Sequence, residues 1–230
     1  MRRDLGGDAN GAATCSFPGR GVEPPLLEGE LYMPDTDGPV AGVVVAHPHP
    51  QRGGSMDNNV VWALCEGLRA AGIASLRFNF RGVGRSEGKY GGGEDETFDV
   101  LGALSFLAAQ PGIAPGSVGL AGYSFGARVS LAVAAEAPRV RALLCVAPPL
   151  REPLPANGQL ACPFLVLVGD RDAAAAGGLE RYASYLPDPQ RLQVVQGTDH
   201  FWRGFEPVLV DAARRFFAEA LPAPGAEALR

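Results

Sequence analysis

Apolar and polar positions change period along this chain, and the changes mark its elements. Residues 41–46 form a continuous apolar run, as a strand covered on both faces requires. From 56 to 71 the period becomes helical. Val60, Leu64 and Leu68, with Val61, recur on one face, Asp57 and Asn58 suit the start, and Gly72 suits the end. Residues 74–80 read as a strand in which Arg77 and Asn79 alternate with Leu76, Phe78 and Phe80; the sequence names no partner for either polar side chain. A glycine-rich loop follows at 81–93, then a helix at 95–109 that stops before Pro111. A short apolar run from 118 reaches Gly122, and an alanine-rich helical pattern fills 127–137. Strands are expected at 142–147, 164–169 and 192–195, and helices at 179–186 and 207–221, the last with Leu209, Ala213, Phe216 and Ala220 at helical spacing. Upstream, 14–17 and 26–33 suit two antiparallel edge strands. Strands alternating with helices predict βαβ units, hence an α/β fold on a mostly parallel sheet.

Composition narrows this picture. The 230 residues are 47% hydrophobic and 20% charged, ordinary for a soluble globular protein. One domain over 26–221 is expected, with a loose N-terminal tail at 1–25 and a C-terminal tail at 222–230. The formal net charge of −5, with no basic patch, argues against nucleic-acid partners. No apolar run approaches the roughly 20 residues that span a bilayer, so no membrane partner is expected. Arg2 and Arg3 precede no apolar stretch of the kind a secretory signal needs. Cys15, Cys65, Cys145 and Cys162 show no close pairing, which fits buried reduced thiols and a cytoplasmic location.

The candidate chemistry lies at Gly122-Tyr123-Ser124-Phe125-Gly126. A Gly-x-Ser-x-Gly between a strand and a helix is the pattern of a nucleophile elbow. The sharp turn needs small neighbours two residues before and after the serine. A serine is a weak nucleophile unless a base takes its proton and an acid fixes the base. Of His47, His49 and His200, only His200 follows Ser124, and it sits just past the last strand, where α/β sheets place ligands. Val168-Gly169-Asp170-Arg171-Asp172 ends the strand before it. Asp172 is chosen as the acid because the turn must carry a carboxylate round to His200, whereas Asp170 suits local backbone N–H groups. Glu152 is a more remote alternative, and Asp199 adjoins His200 too closely to orient it.

Two backbone N–H donors are needed for a developing oxyanion. One belongs to the residue after the nucleophile, Phe125. In His47-Pro48-His49-Pro50 the prolines carry no N–H, which leaves that of His49. His47 reads as a structural residue of that loop. Arg81-Gly82-Val83-Gly84-Arg85-Ser86-Glu87-Gly88 superficially suggests a dinucleotide loop, but the third glycine is misplaced and no helix opens directly.

Together, the stretch from His47 to Gly54 with Asn59, Phe78 to Ser86, the elbow, Gly169 to Asp172 and Asp199-His200-Phe201 resemble the α/β-hydrolase superfamily. The likeness is to its small lidless serine hydrolases, near the dienelactone-hydrolase-like and acyl-esterase members. It runs from Ala41 to about Leu221. It implies about eight strands with helices on both faces. Dienelactone hydrolases carry cysteine as nucleophile, so Ser124 favours ester chemistry instead. Residues 148–162 are too few for the cap that many members insert there, which implies an open site. The expected activity is hydrolysis of a small or short-acyl carboxylic ester, or a thioester, through an acyl-enzyme, with no cofactor and no metal. A peptidase or amidase, or a silent binding protein of the same fold, are the rival readings.

Overall fold

The computed structural model describes residues 11–149, 160–173, 179–184 and 191–221. Eight strands form one sheet: β1 (Ala12–Pro18), β2 (Leu26–Tyr32), β3 (Val40–Ala46), β4 (Ala74–Phe78), β5 (Ile113–Tyr123), β6 (Leu143–Val146), β7 (Phe164–Gly169) and β8 (Leu192–Val195). Their spatial order is β1-β2-β4-β3-β5-β6-β7-β8. The first two are antiparallel additions, and every pair from β4–β3 to β7–β8 is parallel. Between them run α1 (Asn59–Ala70), α2 (Asp95–Ala108), α3 (Phe125–Glu136), α4 (Leu179–Ser184) and α5 (Glu206–Ala220).

Helices cover both faces, and the strand side chains show why. Val44, Ala46, Leu120, Leu143 and Val166 pack with Val100, Leu104 and Leu107 of α2 and with Val129 and Val133 of α3. Their sequence neighbours Val43, Val45, Ala121, Leu144 and Leu167 pack the other way, against Val60, Leu64 and Leu68 of α1 and Leu209 and Phe217 of α5. Successive strand residues point to opposite faces, so a strand covered twice must be apolar throughout. Each fully buried aliphatic side chain contributes roughly 1.5–3 kcal/mol.

Three expectations are corrected. Residues 12–18 are the edge strand expected at 14–17, longer at both ends and registered against β2 from Ala12–Tyr32 to Pro18–Leu26, rather than part of a loose tail. β5 starts at Ile113, not 118, because the pairing with β3 shifts between Val40 and Gly42 and absorbs Pro115 and Gly116. Cys15 and Cys65 are only partly buried, although all four thiols are free. The start of the N-terminal tail, Glu152, the end of the helix expected at 179–186 and the tail at 222–230 lie outside the described residues.

The polar pair in β4 now has partners. The Arg77 guanidinium donates to the Met56 carbonyl at 2.9 Å and to Asp57 at 3.0 Å, pairs with Glu30, and stacks 3.6 Å over the Trp62 ring. Asn79 donates to Glu28 at 2.7 Å and accepts from the Met56 N–H at 2.8 Å. Both side chains anchor the loop that leads into α1.

Candidate active site

The elbow is a direct consequence of its two glycines. A Cβ on Gly122 would lie 2.6 Å from the Gly126 carbonyl carbon, and one on Gly126 would lie 2.4 Å from the Ala46 carbonyl oxygen. Neither position admits a side chain without moving backbone. Between them Ser124 adopts φ 52°, ψ −114°, a conformation that costs a non-glycine residue about 1–3 kcal/mol. Its N–H donates to the Val146 carbonyl at 2.8 Å and its carbonyl accepts from Arg128 N–H at 3.1 Å, so strand and helix hold the turn from both sides. α3 begins at Phe125, directly after the serine and two residues earlier than its alanine pattern indicated.

The turns after β7 and β8 are knitted together. Arg171 N–H donates to the Thr198 carbonyl at 3.1 Å, and Asp170 Oδ1 accepts from Gly197 N–H at 2.7 Å. Asp170 thus serves the local backbone. Asp172 is carried round to His200, its Oδ2 2.9 Å from Nδ1, while Nε2 lies 3.0 Å from Ser124 Oγ. With a carboxylate on Nδ1, that nitrogen carries the proton, and Nε2 accepts from the serine hydroxyl. The Asp172 side chain is 2% exposed and that of His200 27%, so the acid is sealed and the base meets solvent. Asp199 accepts from Phe201 N–H at 2.9 Å and takes no part in orienting the ring.

Tyr123 was not singled out from sequence. Its hydroxyl donates to the His200 carbonyl at 2.6 Å. Burial, then Asp172 and Asp199, push its pKa upward, so it stays a neutral donor. Trp202, fully buried with φ 59°, anchors the other side of the His200 turn. A tyrosine inside the elbow and a tryptophan two residues past the histidine were the available signals.

The loop after β3 approaches the elbow from the opposite side. The His49 ring lies 5.1 Å from Phe125 and 5.1 Å from Tyr90, centroid to centroid. Its Nδ1 accepts from Gln51 N–H at 3.2 Å, which leaves the proton on Nε2, 3.3 Å from the Tyr90 hydroxyl. Burial, then Arg52, lower its pKa and favour this neutral form. Tyr90 comes from the glycine-rich loop, where the buried Glu96 accepts from Gly91 and Gly93 N–H groups at 2.8 and 2.6 Å. That loop is therefore pinned by a carboxylate.

The family described as X-Pro dipeptidyl-peptidase (S15 family) matches residues 25–185. The chain belongs to this α/β-hydrolase family. The matched stretch includes Ser124 and Asp172 and ends before His200. Two solved structures share the fold of this S15-family chain at appreciable identity. An α/β serine hydrolase without lid from Xanthomonas campestris is 31% identical, with a TM-score of 0.76 over 94% of this chain and 98% of that one. An α/β serine hydrolase homologue from Coxiella burnetii is 32% identical, with a TM-score of 0.75 over 87% and 96%. A thiohydrolase from Arthrinium phaeospermum is 31% identical over 128 residues, 54% of this chain but only 42% of its own length. The S15-family chain is a hydrolase with the lidless form of the fold. Among the described residues no helix is long and apolar enough to cross a membrane.

Proposed function

We propose that the protein hydrolyses a carboxylic ester of small or short-acyl substrate through a serine acyl-enzyme. The continuous hydrogen-bonded line from Asp172 through His200 to Ser124, at 2.9 and 3.0 Å, carries this reading. His200 Nε2 takes the hydroxyl proton as Ser124 Oγ adds to the carbonyl carbon. Asp172 holds the ring and stabilises the imidazolium without itself being protonated. Negative charge on the carbonyl oxygen is met by the N–H groups of His49 and Phe125, and neither has an acceptor among the described residues. Collapse breaks the bond to the leaving group, which receives the proton from His200. Water then adds to the acyl-enzyme, deprotonated by the same nitrogen, and releases the acid and the serine. Four thiols free of disulfides fit a reducing, cytoplasmic setting.

The thiohydrolase relative favours a thioester as second substrate class, and the family's description adds peptides. Turnover of matched oxygen ester, thioester and dipeptidyl substrates separates the three. Acyl preference follows from the wall. Phe201 is 60% exposed beside His200, so it offers a shallow apolar edge rather than a tunnel. Each methylene buried adds roughly 0.8 kcal/mol, about fourfold in kcat/KM. A nitrophenyl ester series is expected to peak at about two to six carbons. A rise continuing through long chains in monomeric protein overturns the short-acyl assignment.

A further inference from the structure

His47 is fully buried, and both of its ring nitrogens are engaged. Nε2 accepts from the Phe80 N–H at 3.1 Å. Nδ1 is then the protonated nitrogen, and it donates to the Pro48 carbonyl at 2.6 Å. The Phe80 ring packs edge-on to the imidazole at 4.8 Å and fixes its plane. That carbonyl is half of the peptide unit whose other half is the His49 N–H. In a trans peptide the C=O and N–H point to opposite sides of one rigid plane. Whatever fixes the Pro48 carbonyl therefore fixes the direction of the His49 N–H.

We propose that His47 is a positioning residue for the oxyanion hole: by holding the Pro48 carbonyl it aims the His49 N–H at the carbonyl oxygen of the substrate. This deepens the ester-hydrolase reading and rests on it. The neighbouring groups brace the same loop and leave the Pro48 carbonyl itself to His47. The His49 carbonyl accepts from Arg52 N–H at 3.0 Å and from Gly54 N–H at 3.1 Å. A Cβ on Gly54 would lie 2.1 Å from the Pro48 oxygen, so the loop closes onto that carbonyl where only glycine fits. On the far side, Gln51 N–H and Tyr90 hold the His49 ring. A bond accepted at a peptide oxygen also polarises the attached N–H, which makes the His49 donor stronger as well as better aimed. The arrangement reaches from the end of β4, through a buried imidazole, to the atom that would meet charge in the transition state. His47 touches no reacting atom.

Two substitutions separate aiming from architecture. His47→Asn keeps an N–H donor near the Nδ1 position and loses the acceptor for Phe80 N–H. His47→Gln places its amide oxygen near the Nε2 position, keeps that acceptor, and loses the donor to Pro48. If His47 aims the donor, His47→Gln loses on the order of 10–10²-fold in kcat on a nitrophenyl ester with KM little changed, short of the 10²–10³-fold seen when such a donor is deleted outright. His47→Asn then keeps more kcat than His47→Gln while melting at a lower temperature. Affinity for a trifluoromethyl ketone, whose adduct with serine carries the same oxyanion, falls in step with kcat. A merely structural His47 gives the other result: kcat follows melting temperature in both variants, and ketone affinity follows neither. That result overturns the proposal and leaves the ester reading standing. A wild-type protein that binds no trifluoromethyl ketone and turns over no ester overturns both.

Discussion

Two lines of hydrogen-bonded titratable side chains cross this protein on either side of β3, built from similar residues to opposite ends. One runs Asp172–His200–Ser124 across the carboxyl ends of β5, β7 and β8. The other centres on Glu28 of β2, which accepts from Asn79 at 2.7 Å, from Arg85 N–H at 2.6 Å and from Arg85 Nε at 2.7 Å. Ser86 extends it, accepting from Glu28 N–H at 3.0 Å and donating to the Asn79 carbonyl at 2.7 Å. Each line has a nearly sealed carboxylate, 2% exposed at Asp172 and 10% at Glu28. The difference lies at the other end. The first ends in a hydroxyl whose proton has a base to go to. The second ends in the 75% exposed guanidinium of Arg85, which does not give up a proton in a protein. Buried charge therefore marks a site of chemistry only when its line ends in a group that can change protonation state. Otherwise it fastens a loop, here the one that delivers Tyr90 to His49.

The sharpest break in this comparison comes at the hydroxyl. Ser124→Ala should lower ester kcat on the order of 10³-fold or more and abolish fluorophosphonate labelling, with the melting temperature retained. A variant that still labels moves the nucleophile elsewhere. Next comes the carboxylate. Asp172→Asn should cost kcat on the order of 10²-fold or more, because an amide presents His200 with the wrong tautomer. Asp170→Asn, which only caps Gly197, should cost kcat less than about tenfold by the same logic. The reverse ranking in steady-state kinetics transfers the role to Asp170.

His47 stands between the two lines, and its titration is a test of burial. Desolvation lowers its pKa from 6.5 to about 4. The folded state then binds fewer protons than the unfolded chain between those values. Its contribution to stability is complete above pH 6.5 and drains as pH falls toward 4, by up to about 3 kcal/mol. Urea midpoints at pH 7 and pH 4 should differ more for the wild type than for His47→Gln. Equal differences would mean that the imidazole takes up its proton as readily in the fold as in the unfolded chain. The smallest effect belongs to the architectural line. Glu28→Gln should destabilise by about 1–3 kcal/mol in urea unfolding and leave ester kcat within about threefold. A large kcat loss at unchanged stability would erase the distinction drawn between the two lines.

The reading from sequence reached as far as local patterns carry it. Val43 to Val45 announced a doubly covered strand, and Gly122 and Gly126 announced a turn, because each constraint is written into adjacent residues. Ser124, Asp172 and His200 were selected by chain order and strand ends, and the fold brings those three side chains into contact. What stayed dark depends on partners distant in sequence. Arg77 and Asn79 made no sense until Glu30, Glu28 and Met56 arrived from another strand and a loop. Tyr90 was one tyrosine among glycines, with nothing nearby in sequence to show that Glu96 would turn it toward His49. β1 was placed both in a tail and at an edge, since its burial alternates weakly and only the pairing with β2 decides.

The parts of this site are made at different times. Ser124 and His200 are 76 residues apart, and the base belongs to the last turn before α5. At a ribosomal pace of 5–20 residues per second, the serine exists for roughly 4–15 s before its histidine has been synthesised. Throughout that interval the emerging polypeptide carries the serine hydroxyl without its base. α5 must then be translated and laid against α1, which joins the late chain to the early one. Assembly of the site thus waits on the stretch that carries His200 and α5, and a chain terminated before His200 lacks the base of the proposed site.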